Sequence, residues 1–373
     1  MTPWSSLQLA EPPPTADVRS GDHMKKPVQL KIGMPAGSLA NATRGGGLID
    51  LLASAGFRTS GYDKGGPTTF TTNSLLFGWD GRPQEFGAQL EIGELDVAIA
   101  GDDWIKERVL EMKLEYGVDV KLQRLMPLNR GAVQLVGITA DAGFATTEDF
   151  LRNLVSTKPL VRVAAEMPYL ALDWVQRKLA AIGVGEAFST HSVQKYKTPP
   201  RIEKGILVYE SWGKTESKVK HGAVDMALEI TQTGGAIKSY GLTIVESVMR
   251  SQTAIYTSAA TLADPEKREL LEMFLLNLHG ALQAESRVML VFNVPNARSA
   301  EVEEYLVKNN LFGDEPTMNR GKDYTEYNIQ IEDANPERPI ALIRYMLAKL
   351  GARSIDTIPI ISSISSLKAV RKD

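Results

Sequence analysis

The chain has 373 residues, 43% hydrophobic and 23% charged, with a formal net charge of −3 at neutral pH. This length predicts two or three domains, and the near-balanced charge argues against a nucleic-acid binder, which would carry a basic face. The sequence contains 0 cysteines, which excludes disulfides, zinc–thiolate sites and thiol nucleophiles. No apolar run approaches the roughly 18–20 residues of a membrane span. We therefore expect a cytoplasmic protein with neither nucleic acid nor membrane as a partner.

The first 24 residues have neither the basic start nor the long apolar stretch of a secretory signal. Three consecutive prolines at 12–14 lie in a polar segment of the kind that forms no regular structure. Met24 resembles a natural start. We predict that residues 1–24 are a disordered tail or an expression-derived extension.

The body of the chain alternates strands with helices. Apolar runs predict strands at 28–35, 95–101, 133–139 and 160–166. Helical periodicity predicts helices at 48–57, 102–112 and 169–184. This alternation indicates α/β units with largely parallel sheets, whose ligands bind beyond the carboxyl ends of the strands.

After about residue 262 the pattern changes. An amphipathic helix with an acidic first turn is predicted at 264–286. The elements predicted after it are strands at 287–295, 324–332 and 356–364 and helices at 299–309 and 339–352. With one further short strand, this β-α-β-(β)-α-β order indicates a ferredoxin-like module.

The segment AVDMALEITQTGGAIKSYGL, residues 223–242, carries the clearest chemistry. Apolar residues alternate with Asp225 and Glu229, which places both carboxylates on one face of a strand. A turn follows directly: Thr231, Thr233, Gly234 and Gly235. Its backbone N–H groups can form an anion-binding nest, while the acids bind sugar hydroxyls or stabilise positive charge on a ribosyl ring. A half-exposed strand ending in a tight glycine turn would have the same pattern.

Five segments, in this order, resemble one known family: LKIGMPAGSL, GRPQEFGAQLEIGELDVAIAGDDWIKE, ESWGKTESKVKHGAVDMALEITQTGGAIKSYGL, VMLVFNVP and GARSIDTIPI. They extend from about Leu30 to Ile361. The chain resembles the long form of ATP phosphoribosyltransferase, the first enzyme of histidine biosynthesis. The family's arginine–acid segment and its Gly-x-Asp-x-x-x-Glu motif match Arg82, Glu85, Gly101, Asp103 and Glu107.

The resemblance implies a two-lobed, periplasmic-binding-protein-like α/β catalytic core and a C-terminal ferredoxin-like α+β regulatory domain. The implied bounds are 25–125 for the first lobe with a return segment at 243–262, 126–242 for the second lobe, and 263–373 for a linker helix and the regulatory domain. It further implies a homo-hexamer with histidine as effector. The implied reaction joins N1 of ATP to phosphoribosyl pyrophosphate and releases pyrophosphate, with Mg²⁺ as cofactor.

The resemblance also implies site residues. Asp225 and Glu229 are the predicted catalytic pair. The predicted substrate-binding residues are Gly37, Ser38, Arg82, Gly101, Asp103, Glu107, Lys214, Thr231, Thr233, Gly234, Gly235, Ala236 and Lys238. The histidines are isolated in sequence, so no protein metal ligand is predicted. Trp212 is either a stacking surface for a base or a buried anchor.

The chain departs from the family at three places. Ala36 replaces a lysine in the first turn, Gly235 and Ala236 replace hydroxyl-bearing residues, and 44–47 is a glycine-rich insertion. Lys214 or Lys238 could supply the lost positive charge. These changes leave three alternatives open: a transferase with another acceptor, a non-catalytic regulatory homologue, and a two-lobed solute-binding protein.

Overall fold

The computed structural model describes residues 27–36, 47–64, 67–141, 143–311, 317–333 and 335–371. The predicted tail at 1–24, the predicted ligands Gly37 and Ser38, and most of the insertion at 44–47 lie outside these residues. The described part of the chain forms two α/β lobes and a C-terminal α+β module. No helix in it combines the length and apolar character needed to cross a membrane.

The first lobe is built on a five-stranded sheet. Its elements in chain order are β1 (Leu30–Pro35), α1 (Leu48–Ser54), β2 (Thr59–Ser60), β3 (Thr69–Phe70), β4 (Leu76–Gly81), α2 (Pro83–Glu91), β5 (Val97–Gly101), α3 (Asp102–Tyr116) and β6 (Leu122–Pro127). β1 pairs in parallel with β4 and β5. The apolar residues of β1 and β5 are buried, as expected for strands covered on both faces.

The second lobe is built on a six-stranded sheet. Its elements are β7 (Val133–Thr139), α4 (Thr147–Thr157), β8 (Leu160–Ala165), α5 (Pro168–Ala181), β9 (His191–Lys195), β10 (Gly205–Glu210), α6 (Thr215–Lys220), β11 (Met226–Thr231), α7 (Gly235–Ser239) and β12 (Thr243–Ser251). The strand order is β12-β7-β11-β8-β10-β9. β8, β9, β10 and β11 run parallel, whereas β7 is antiparallel to β11 and β12.

A two-stranded ribbon connects the lobes. After β12, the chain enters β13 (Thr253–Ser258), which lies between β5 and β6 in the first-lobe sheet and is antiparallel to both. The two crossing segments are hydrogen-bonded: Leu128 N–H donates to Thr253 O, and Thr253 N–H to Arg130 O. The return segment predicted at 243–262 is therefore corrected. Its first half is β12, which pairs with β7 in the second lobe, and only β13 returns to the first-lobe sheet.

The C-terminal module has ferredoxin-like topology. After α8 (Ala259–Ala263) and α9 (Pro265–Ala284) come β14 (Arg287–Pro295), α10 (Ser299–Lys308), β15 (Thr317–Arg320), β16 (Tyr324–Glu332), α11 (Ile340–Lys349) and β17 (Arg353–Pro359). The antiparallel order β15-β16-β14-β17 is that of a βαββαβ unit, as predicted. The last strand begins and ends earlier than the prediction of 356–364, because its register follows β14 from Val288 to Asn293.

Helix α9 links this module to the first lobe. Asp264 caps it by accepting hydrogen bonds from the N–H groups of Glu266 and Lys267. Its apolar face, including Leu271 and Phe274, is buried in the first-lobe core. The helix therefore fixes where the module begins relative to the first-lobe sheet.

Candidate active site

The carboxyl ends of the parallel strands face each other across the cleft between the lobes. The residues that follow β1, β4 and β5 are Ala36, Arg82 and Asp102. The residues that follow β8, β10 and β11 are Glu166, Ser211 and Gln232. Trp104 of the first lobe stacks on Trp212 of the second, with ring centroids 6.3 Å apart and planes 17° from parallel. The cleft therefore lies where ligands of open α/β sheets bind.

Glu229, near the carboxyl end of β11, lies in a negatively charged environment. Its partial burial, together with the charges of Glu216 and Glu166, raises its pKa to about 7, although Lys218 acts in the opposite direction. Glu216 is itself buried, with 8% of its surface exposed. A ligand that brings a cation, hydroxyl donors or developing positive charge would stabilise the ionised form of such a group.

The glycine turn follows Glu229 and leads into the five-residue helix α7. Gly234 adopts a left-handed conformation with φ of 71°, which a residue without a Cβ reaches at little cost. Thr231 Oγ1 accepts a hydrogen bond from Gly234 N–H at 2.8 Å, and Thr233 Oγ1 accepts one from Gly235 N–H at 3.4 Å. The structure thus brings the predicted turn residues together with Glu229, and Ala236 lies on the exposed side of α7.

Asp225 lies at the opposite end of β11. The separation of four positions between the two acids corresponds to about 13 Å of extended strand. The Asp225 side chain is 3% exposed and bonds to Lys158 Nζ at 2.7 Å and to Arg162 Nη2 at 2.9 Å. Burial opposes ionisation, but the hydrogen bonds from Arg162 and Lys158 outweigh it and hold the Asp225 pKa below its usual value. The structure does not bring Asp225 to the glycine turn.

Asp103 is buried at the start of α3, where the ribbon between the lobes passes. Its Oδ1 accepts a hydrogen bond from Trp104 N–H at 2.9 Å, and its own N–H donates to Ser251 Oγ at 3.0 Å. Burial raises the Asp103 pKa. A Cβ built on Gly101 would lie 2.2 Å from Asp103 Oδ1, so glycine leaves the room that this carboxylate occupies.

Glu107 connects the two lobes rather than facing the turn. Its carboxylate accepts hydrogen bonds from Tyr169 N–H at 3.0 Å and Leu170 N–H at 2.7 Å, at the N-terminus of α5. Burial raises its pKa to about 8, against the effect of these two donors. Glu107 of the first lobe therefore caps a helix of the second.

The predicted cationic ligands are exposed, in the segments that follow β4, β10 and β11. Arg82 precedes α2 at the end of β4. Lys214 precedes α6 with a left-handed φ of 58°. Lys218 Nζ bonds to the carbonyl oxygens of Gly213 and Lys214, at 2.9 and 3.1 Å. Lys238 is on α7, beside the turn.

Sequence reasoning missed four residues of this site: Glu166, Glu216, Lys218 and Trp104. Glu166 is the last residue of the strand predicted at 160–166 and directly follows the observed β8, a position at the carboxyl end of a strand that could have identified it. Glu216 is separated from Glu229 by thirteen positions, and no local pattern relates the two. Only the pairing of β11 with β8, and the contact of α6 with β11, place Glu166 and Glu216 near Glu229.

Cavities lie beside the candidate site and elsewhere. One of about 460 Å³ is at the lobe junction, and its lining includes Asp102, Gln232 and Arg250. Another of about 900 Å³ lies between β6, α9 and residues 369–371, away from these acids. We place the site in the cleft because the charge of Asp103 in the first lobe acts on Glu166 in the second, and that of Glu166 acts on Glu229. Within the described ranges, no cluster of three or more histidines and acids has the arrangement of a metal site.

The fold and cleft define a two-lobed α/β protein whose site combines an acidic group with a turn that can bind an anion. A family model for ATP phosphoribosyltransferase matches residues 82–280. The chain is 30% identical over 342 residues to ATP phosphoribosyltransferase 1 of Geobacter sulfurreducens, covering 89% of this chain and 97% of that protein. It is also 30% identical to ATP phosphoribosyltransferase of Nitratidesulfovibrio vulgaris, covering 91% and 97%.

Among solved structures, the chain is similar to an ATP phosphoribosyl transferase (HisG:HisZ) complex from Thermotoga maritima, with 17% identity and a TM-score of 0.48, covering 69% of this chain and 100% of that one. The sequence matches establish that the chain belongs to the ATP phosphoribosyltransferase family. The predictions of this family, of its transferase activity and of its place in the first step of histidine biosynthesis are confirmed.

Proposed function

We propose that this chain transfers a phosphoribosyl group to N1 of ATP in the interlobe cleft, at a site centred on Glu229. One observation carries the placement: a partly buried carboxyl with a raised pKa stands directly before a glycine turn, at the carboxyl edge of the sheet. A phosphorylated sugar matches both features. Its phosphate can replace the Thr231 and Thr233 hydroxyls as acceptor for the N–H groups of Gly234 and Gly235, and its hydroxyls can donate to the acids.

The proposed roles follow from these positions. The turn at 231–236 holds the 5′-phosphate, and Glu229 with Glu216 accepts hydrogen bonds from the ribose hydroxyls. As the bond from the anomeric carbon to pyrophosphate breaks, the electron pair leaves with pyrophosphate and positive charge develops on the ribosyl ring. The Glu229 carboxylate stabilises that charge while N1 of ATP bonds to the anomeric carbon. No covalent enzyme intermediate is required.

The negative charge of the leaving pyrophosphate requires cations near the cleft. Arg82, Lys214 and Lys238 are exposed in the segments that follow β4, β10 and β11, and we assign them to the phosphates of the two substrates. Lys214 or Lys238 supplies the positive charge of the lysine that Ala36 replaces. Asp103 is buried among hydrogen bonds to Trp104 and Ser251, so its proposed role is to fix the cleft wall.

Mg²⁺ fits the carboxylates of this cleft. Mg²⁺ is commonly bound by one or two carboxylates together with substrate phosphates rather than by an all-protein cage. The charge of Glu216 disfavours the ionised form of Glu229, so a divalent cation between protein and substrate would relieve this repulsion. When bound, the ion would neutralise charge on the leaving pyrophosphate.

The contacts of Asp225 favour a different role from the catalytic one that its position in the family motif predicts. Its charge is compensated by Lys158 and Arg162, and it lies at the far end of β11. We propose that it fixes the pairing of β11 with β8. The homo-hexamer and the histidine effector stay predictions based on the family, and the cytoplasmic location stays a prediction based on composition.

The test is incubation with phosphoribosyl pyrophosphate, Mg²⁺ and ATP, following pyrophosphate and identifying the nucleotide product by mass. Phosphoribosyl-ATP is the expected product. Pyrophosphate release only with another purine would mean that Ala36 and Ala236 accompany a change of acceptor. A folded sample that binds the donor without turnover would contradict the proposal and favour a regulatory role.

A further inference from the structure

We propose that Trp212 is the surface on which the purine base of the acceptor stacks, with Trp104 of the other lobe as the residue that positions it. This inference rests on the proposed function, which requires a purine nucleotide in the same cleft. It adds the residues that would select a purine as acceptor.

Trp212 is unusually exposed for an indole in a fixed position. Of its surface, 59% is accessible, although tryptophan is highly buried on average. One contact with the other lobe orients the ring: the centroid of Trp104 lies 6.3 Å away, with the two planes 17° from parallel. A hydrogen bond from the indole Nε1–H to Glu210 Oε1 at 2.9 Å fixes its edge. An ordered, exposed aromatic face costs little further entropy when a planar ligand stacks on it.

The backbone beside Trp212 is tied to the proposed transfer site. The next residue, Gly213, accepts a hydrogen bond from Lys218 Nζ at 2.9 Å. The charge of Lys218 in turn acts on Glu229. The residue next to Trp212 therefore bonds to a lysine whose charge acts at the proposed ribosyl site.

Trp104 occupies the equivalent place in the first lobe. It follows Asp103, whose negative charge acts on Glu166, and Glu166 acts on Glu229. Its ring is partly buried against the core of the second lobe, so it has less free surface than Trp212. These contacts make Trp104 the fixed partner and Trp212 the surface available to a base.

A base held there would be selected by its flat area rather than by hydrogen bonds. Stacking on an aromatic side chain is tolerant of base identity but stronger for larger rings. This arrangement suits an acceptor site that must hold a purine close to the anomeric carbon. The competing explanation is that the two rings only hold the lobes together.

The test compares Trp212→Leu, Trp212→Phe and Trp104→Leu. Tyr345→Leu is the matched control, because it removes an aromatic ring that is 63% exposed on the C-terminal module. Trp212→Leu should raise the KM for ATP about 5- to 100-fold, the range for losing one base–aromatic stack. Trp212→Phe keeps a stacking face and should stay within about threefold of wild type. Trp104→Leu should raise the KM for ATP by a smaller factor and leave kcat close to wild type.

The KM for phosphoribosyl pyrophosphate should be unchanged in all four variants. Equilibrium dialysis with ATP should show the same ranking without requiring turnover, so that a failed transfer assay leaves this inference testable. The proposal is overturned if Trp212→Leu binds ATP as wild type does. It is equally overturned if the variant weakens both substrates alike, which would indicate a structural role for the pair.

Discussion

The two ends of β11 carry acids of the same charge on the same strand face, in opposite surroundings. At the amino end, Asp225 is neutralised by Lys158 and Arg162, and its pKa is lowered. At the carboxyl end, Glu229 lies near Glu216 and its pKa is raised to about 7. The first acid has its partners within the fold, whereas the second has an excess of negative charge that a ligand can relieve.

This difference separates a stabilising acid from a functional one. A carboxylate whose partners are built in contributes to stability, and a carboxylate held near other acids reduces stability unless something binds. Active sites often contain groups of the second kind. The two positions therefore predict mutational effects of opposite sign on stability and activity.

Glu229→Gln should cause the greatest loss of activity. Removing a charge that stabilises the developing ribosyl cation should lower kcat by about 100- to 1,000-fold. The same substitution should leave the unliganded protein as stable or more stable, because the repulsion from Glu216 and Glu166 is removed. Steady-state kinetics and thermal unfolding check both results, with Glu304→Gln on the exposed side of α10 as control. A variant that unfolds more readily would contradict the assignment.

Asp225→Asn should have the opposite effect. It leaves Arg162 and Lys158 without their carboxylate and should lower the free energy of unfolding by about 3 kcal/mol. Folded protein should retain kcat within a few-fold of wild type, because Asp225 is remote from the turn. Denaturant unfolding and kinetics at a temperature where the variant is folded provide the measurement. Loss of turnover in a stable Asp225→Asn protein would restore Asp225 to the catalytic pair.

Glu107→Gln tests whether a raised pKa by itself marks a functional acid. Glu107 shares its raised pKa with Glu229, but the N–H groups of Tyr169 and Leu170 already occupy both of its oxygens. The glutamine has only one acceptor oxygen, so one N–H at the start of α5 loses its bond, at a cost of about 1 kcal/mol. Turnover should fall less than about tenfold. A loss as large as that of Glu229→Gln would show that pKa alone identifies the functional acids.

The pH dependence of stability should also differ between the two ends. The folded-state pKa of Glu229 is about 7, above the unfolded value, so its contribution is most favourable below about pH 4.5 and is lost as pH rises to about 7. The folded-state pKa of Asp225 is lowered, so its contribution is present above about pH 4 and is lost on acidification. The free energy of unfolding should therefore fall between pH 5 and pH 8, and this fall should be smaller in Glu229→Gln. An unchanged trend in that variant would refute the assignment of the raised pKa to Glu229.

The sequence predicted most of the fold, because apolar runs and helical periodicity are local signals. β7, β14 and β16 were predicted with the bounds observed. The path of the return segment was not predictable in this way, since β12 is assigned to a lobe by its pairing with β7, more than a hundred residues earlier. The predicted bounds of the last strand were wrong for a similar reason, because they depend on its register with β14.

The site was predicted less completely than the fold. Period-two alternation predicts Asp225 and Glu229 on one strand face, but it contains no information about which end faces the cleft. That depends on Lys158 and Arg162, more than sixty residues earlier, and on Glu216 in the helix before β11. The local sequence identifies the two acids, whereas the charges that surround each of them are known only from the tertiary fold.

The ribbon between the lobes determines where the chain can be divided. β6 and β13 are antiparallel neighbours, with Pro127 opposite Ala254, and the whole second lobe lies between them in the chain. In topological terms the second lobe is an insertion at the tip of a β-hairpin, with its two ends adjacent. A short turn from Pro127 to Thr253 would reseal that hairpin, so the excised lobe and the resealed remainder are natural units for dissection or for exchange between relatives.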